Sequence, residues 1–298
     1  MKRLVFCLVL CVVVALLIAD EAKKYDLVSN LKKGDSFAKV VKVEMKGAME
    51  GGEVQEMNMA IQMSGEMSVE DVDSKVTATV ADKITKAQIK GRMSGVEFDY
   101  DSDKKQEGGE KENPDPSEMI RGMMAERCGQ YLNKAFKIKV ARRWTTEVVE
   151  GAEGLEDLLP FGYLELMLQL PDYPVAIGDT WEVKIKNEHG REIELSLTLK
   201  EVLGTAAVIE GKIKKFDVPN PDMKVTLESS SYSARFNIEK GYPESVSLAV
   251  TIKAKGQGEE GGEVNVTESI THKCELKPKE VKQDEPKKED TPKTEPEK

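Results

Sequence analysis

GDSFAKVVKV (residues 34–43) and GDTWEVKIKN (residues 178–187) decide the fold. Each opens on glycine, aspartate, a hydroxyl residue and an aromatic. Each then places apolar groups at every second position early in the run, the period of a strand with one buried face. Glycine accepts positive φ, aspartate closes an Asx turn on the backbone two residues on, and the aromatic starts the buried face. Gly34, Asp35 and Phe37 thus match Gly178, Asp179 and Trp181 as strand-entry anchors of two similar halves. Neither aspartate has a second acid or a histidine nearby at ligand spacing, so their role is architectural.

The runs that follow also match in order. MNMAIQM (57–63) puts Met57, Met59, Ile61 and Met63 on one face, as IELSLTL (193–199) does with Ile193, Leu195, Leu197 and Leu199. VADKI (80–84) matches IEGKI (209–213), and FKIKVARRWTTEV from Phe136 matches FNIEKGYPESV from Phe236. The offset between copies drifts where loops stand, and loops absorb length changes. The expected fold is mainly β: two similar antiparallel curled-sheet halves, residues 20–153 and 154–276, related by duplication, with one or two short helices. One helix is PSEMIRGMMAERC (116–128), with Met119, Ile120, Met123 and Met124 at helical spacing. The stretch 154–170 reads as a broken helix or a helix plus strand, and the apolar-free run 102–116 as a mobile loop.

The ends bound the compartment. Residues 4–19 carry no charge, follow Lys2 and Arg3, and end on a small residue, which predicts a signal peptide of residues 1–19 and export. An uncleaved N-terminal anchor is the alternative. Neither Cys7 nor Cys11 follows a lipoprotein pattern. Losing the leader moves the net charge from −10 to −12, a balance that disfavours nucleic acid and anionic membrane surfaces as partners. The Lys/Glu/Pro stretch 277–298 has too little apolar content to offset its ordering entropy and is expected to be a disordered tail.

Little in the chain suggests catalysis. The histidines are His189, in a hairpin turn where solvation is the default, and His272, two residues before Cys274. No CxxC or HxxxH spacing joins them, so no metal is expected. Glycine-rich phosphate loops and a G-x-S-x-G elbow are absent, so no cofactor and no enzyme activity are expected. Cys128 and Cys274 stand either as a disulfide or as two buried thiols. The face Met57, Met59, Ile61 and Met63 has three readings: core packing, an adaptable apolar ligand face, or soft thioether ligands for copper. The leucine-type residues of the second half weaken the copper reading.

The leader, the Gly-Asp-Ser-aromatic entry, Tyr100-Asp101-Ser102, and Leu170, Pro171, Pro174, Val175 and Gly178 to Trp181 resemble an uncharacterised family of exported bacterial proteins, as does the hairpin of Phe236, Ile238 and Gly241. That resemblance implies compartment and architecture and nothing catalytic. At fold level a duplicated curled sheet is also similar to periplasmic lipoprotein and lipid carriers. The expected function is a non-catalytic extracytoplasmic binding module for an apolar ligand, such as a lipid, or for an envelope protein. The alternative is a structural or assembly protein of the envelope without a ligand cavity.

Overall fold

The computed structural model describes residues 23–50, 55–104, 115–151, 168–186, 192–217, 223–257 and 263–279. The predicted leader, His189, most of 154–170 and most of the tail lie outside these residues. The first half contributes β1 (Lys24–Tyr25), β2 (Ser36–Glu50), β3 (Gln55–Val72), β4 (Ala78–Met93), β5 (Val96–Asp101), α1 (Pro116–Gly129), β6 (Ala135–Val140) and β7 (Thr146–Glu150). The second contributes β8 (Val175–Ala176), β9 (Thr180–Lys186), β10 (Glu192–Leu203), β11 (Ala206–Asp217), β12 (Met223–Asn237), β13 (Tyr242–Gln257) and β14 (Glu263–Pro278). β14 thus runs two residues into the stretch assigned to the tail, because Lys277 and Pro278 pair with Ala38 and Phe37.

One twelve-stranded sheet carries the fold, in the order β7-β6-β4-β3-β2-β14-β13-β12-β11-β10-β9, with β5 on β4. The chain meanders from β2 out to β7, restarts at the far edge with β9 and returns to β14, which pairs with β2. All these ladders are antiparallel. Alternating burial follows the sequence period: Phe37, Val41, Val43 and Met45 are buried in β2, and Ile193, Leu195, Leu197 and Leu199 in β10. The inner faces form a single core because the sheet curls. Trp144, in the β6–β7 turn, meets Phe236 of β12 edge-on at 6.3 Å between centroids, across the β2–β14 seam.

The curl stays open, with β7 and β9 as its edges. A strap ties them together at one end, where β1 pairs with β8. The Arg143 guanidinium donates to the Asp26 carboxylate (2.6 Å) and to the carbonyls of Leu27 (2.8 Å) and Asp172 (3.0 Å). Leu170 N–H donates to Arg143 O, and Trp181 Nε1 donates to Gln169 O.

The two entry turns are built alike. Gly34 and Gly178 have φ of 91° and 94°. Asp35 accepts from the Lys32 N–H and Asp179 from the Ala176 N–H, each at 2.8 Å. The carboxylate therefore closes the turn three residues back, rather than two on. Gly34 N–H donates to Val69 O and Gly178 N–H to Leu199 O; Val69 and Leu199 N–H return bonds to Asp35 O and Asp179 O. These bonds match Val69 with Leu199, whereas the sequence alignment matched Met63 with Leu199. VADKI against IEGKI keeps its alignment, since Val69 pairs with Val80 as Leu199 pairs with Ile209. Phe236 corresponds to Val140, because Ile138 and Ala234 pair with Val80 and Ile209. The slip in β3 is six residues, an even number, so it leaves the same side chains facing inward.

A substitution contrast follows from two glycines of positive φ. A Cβ on Gly241 (φ +67°) would stand 2.0 Å from Asn30 N and 2.7 Å from Val28 O, whereas one on Gly34 would meet nothing within 4 Å. Gly34→Ala should cost about 1–2 kcal/mol from conformation alone. Gly241→Ala adds overpacking of about 1–3 kcal/mol and should loosen residues 28–30. Urea denaturation midpoints of the two variants measure the difference.

Candidate functional site

The inward rows of the sheet define the site. Tyr100, Ile89, Ile61, Val43, His272, Leu248 and Tyr232 form one cross-strand row, every member at most 6% exposed. The next row outward is Phe98, Gly91, Met59, Met45, Ile270 and Val250, of which only Met59 and Gly91 are half-buried. Beyond it lie Val96, Met93, Met57, Gly47, Glu268, Ile252 and Leu227, and none of these is buried. Packing therefore stops within two rows and leaves an apolar band partly in water. Met49, at the end of β2, adds to the band and is 37% exposed, as is Met93. The four residues singled out as a ligand face are split by this gradient. Ile61 and Met63 are core, while Met57 and Met59 stand half-buried at its border.

Sequence periodicity identified the face but could not show where along the strands the interior opens. Burial depends on what stands opposite, and no single strand records that. Helix α1 also departs from its periodicity: Ile120 and Cys128 are buried, whereas Met119 and Met123 are 57% and 49% exposed. Asp115 caps it, accepting from the Glu118 N–H at 2.9 Å while Glu118 reaches back to the Asp115 N–H.

A cavity of about 630 Å³ lies where β2, β3, β4 and β5 meet Ser117 and Arg121 of α1. Its lining takes in the outward, exposed residues of two successive rows, Glu44, Ala60, Lys90 and Asp99, then Lys46, Asn58, Arg92 and Glu97. Met45, Met59, Gly91 and Phe98 of the second inward row line it as well, while Met57, Met93 and Val96 do not. Of the methionine face, Met59 borders this cavity.

Three interior polar features were not singled out in the sequence or find a new setting. Lys39, 3% exposed, is ion-paired with Asp82, 0% exposed, and its ammonium lies 5.6 Å from the Phe136 ring centroid. His272 is fully buried on the inner face of β14, which it shares with Cys274 two residues on. Tyr232 is buried without a hydrogen-bond partner for its hydroxyl among the described residues, and burial pushes its phenol up.

The disulfide reading gives way to the thiol reading. Cys128 in α1 and Cys274 in β14 are buried and form no disulfide with each other. Burial lifts the Cys128 thiol to about 11, which leaves almost no thiolate at neutral pH. Native protein should therefore resist iodoacetamide at about pH 8 and take two carbamidomethyl groups at Cys128 and Cys274 after unfolding in urea, as read by peptide mass. Among the described residues no three His, Cys, Asp or Glu side chains converge to hold a metal ion. Among them, too, no helix is long and apolar enough to cross a membrane.

Fold and site together define an antiparallel β protein with an open, curled sheet whose apolar inner face reaches solvent at one end. The fold resembles that of lipovitellin, in a structure describing its lipid–protein interactions, at 12% identity and TM-score 0.50 over 83% of this chain. This chain spans 25% of that one. The translocator domain of the autotransporter NalP from Neisseria meningitidis (8% identity, TM-score 0.22) covers 82% of this chain and 89% of its own. Pseudomonas aeruginosa OccK7 (OpdD) (7%, 0.24) covers 82% and 100%. Scores that low carry no argument. No protein-family model matches the chain, so the resemblance to an exported bacterial family gains no support there. No curated protein matches it either.

Proposed function

We propose that the protein is a non-catalytic binding module that takes an apolar ligand, a lipid by class, on the open end of its inner face. The carrying observation is the row Val96, Met93, Met57, Gly47, Glu268, Ile252 and Leu227, in which apolar side chains stay partly wet although they continue a packed core. Covering such a band releases about 25 cal/mol per Å² of apolar area. Thioethers suit the task because they adapt to varied ligand shapes. Likeness to lipovitellin at the level of fold is compatible with this reading, and fold alone does not establish function. Export after cleavage of residues 1–19, and descent of the two halves from one duplicated unit, belong to the same proposal. The second is supported by the matched bonds of the two entry turns.

Titration of the mature protein with the neutral probe Nile red, together with native mass spectrometry for co-purified lipid, tests the reading. The double variant Met49→Asp/Met93→Asp changes two partly exposed positions and should keep the melting temperature while weakening probe binding about tenfold or more. Unchanged binding in the folded variant, or no binding by the wild type, would sink it and favour the assembly role.

A further inference from the structure

On β14 the inward side chains Leu276, Cys274, His272 and Ile270 are buried, and the next inward residue is Glu268. Its cross-strand partners are Gly47 on β2 and Ile252 on β13. Met45, Ile270 and Val250 form the row behind it, and Met49, Val266 and Ala254 the row in front. Gly47 offers no side chain, and a Cβ there would lie 3.7 Å from Met57 Cε, so the methionine end fills the space over that glycine. The carboxyl thus stands in an otherwise apolar surround. No hydrogen bond or ion pair reaches it among the described residues, and burial lifts its pKa above the ordinary glutamate range.

Partly desolvating a carboxylate without a partner is unfavourable, and stability alone does not call for it. In apolar ligand sites, the few polar groups present fix orientation and set specificity. We propose that Glu268 is the polar anchor of the open row, and that the site takes a cationic amphiphile, an alkyl chain bearing a protonated amine, in preference to a fatty carboxylate. This rests on the binding reading above. An ammonium supplies the donors and the opposite charge that Glu268 lacks. A ligand carboxylate would place two like charges in a poorly hydrated band.

Competition against Nile red at about pH 7.5 tests the proposal on the mature full chain, with dodecylamine and dodecanoate held below their micellar concentrations and dodecanol below its aqueous solubility. The amine should bind wild type roughly tenfold or more tightly than the alcohol, with dodecanoate weakest, the size expected for a hydrogen bond to a charged group. Glu268→Gln removes a desolvated charge and should fold at least as well as wild type, as its melting temperature will show. In that variant the amine should fall to the level of the alcohol, while the alcohol is unchanged. Equal amine affinity in wild type and Glu268→Gln, with Nile red still bound, overturns the role of Glu268 and leaves the binding module standing. Failure of Nile red and all three alkyl probes to bind wild type removes both.

Discussion

Replacing Asp82 by alanine should cost about 3–5 kcal/mol, because it leaves the Lys39 ammonium buried without its counter-charge. For a chain of this size that lowers the melting temperature by something on the order of 10 °C. The geometry explains why the pair exists. Lys39 and Asp82 sit on strands separated by β3, and Gly65 of β3 is the cross-strand partner of Lys39. A Cβ on Gly65 would lie 2.3 Å from Lys83 O, so that position is closed to larger residues and no side chain blocks the route between the charges. The Phe136 ring lies beside the ammonium. The double variant Lys39→Met/Asp82→Leu separates an ion pair from a mere polar defect. With both charges gone the desolvation cost goes as well, and stability should return to near the wild-type value or above it. Urea denaturation of the three variants reads this directly. A single variant as stable as wild type would show that the pair contributes little.

Trp144→Ala should cost a similar amount, about 3–5 kcal/mol. Trp144 is among the largest fully buried side chains, and its indole bridges the interior from the β6–β7 turn to Phe236. Its backbone has φ +59°, a conformation that penalises residues bearing a Cβ by roughly 1–2 kcal/mol. Trp144→Gly should therefore lose no more stability than Trp144→Ala, although glycine is usually the worse replacement. Alanine proving the milder change in thermal denaturation would mean that the turn relaxes once the indole is gone. Loss of the indole should also free Arg143, the next residue back, and with it the strap between the sheet edges.

Both residues show how far the pattern of a strand can be read. Lys39 stands between Phe37 and Val41 at inward parity, and Asp82 between Val80 and Ile84 at the same parity. Two opposite charges at inward positions of neighbouring strand runs were the available signal for a buried pair. It becomes decisive only once β3 is known to separate them by a glycine. The Glu268 position is similar. Alternation along β14 places it inward, but its lack of a partner depends on Gly47 and Ile252 being its neighbours. The methionine face was legible by period two, whereas its division into core and open row was not. Trp144 was legible as an aromatic near a hairpin, and its contact with Phe236 was not.

By itself the sequence determined the local conformation: strands from period-two alternation, the turns from glycine and aspartate at residues 34, 35, 178 and 179, and the short helix from Pro116. Those are short-range effects, set by backbone sterics and by side chains hydrogen-bonding within a few residues. Only the tertiary structure decided that β14 joins β2, that the curl stays open between β7 and β9, and that the inner face runs from packed core to a wet apolar row around Glu268. The physical reason is that strand alternation fixes which way a side chain points. How deeply it is buried, and what it meets there, depends on strands brought close by the curl from distant parts of the chain.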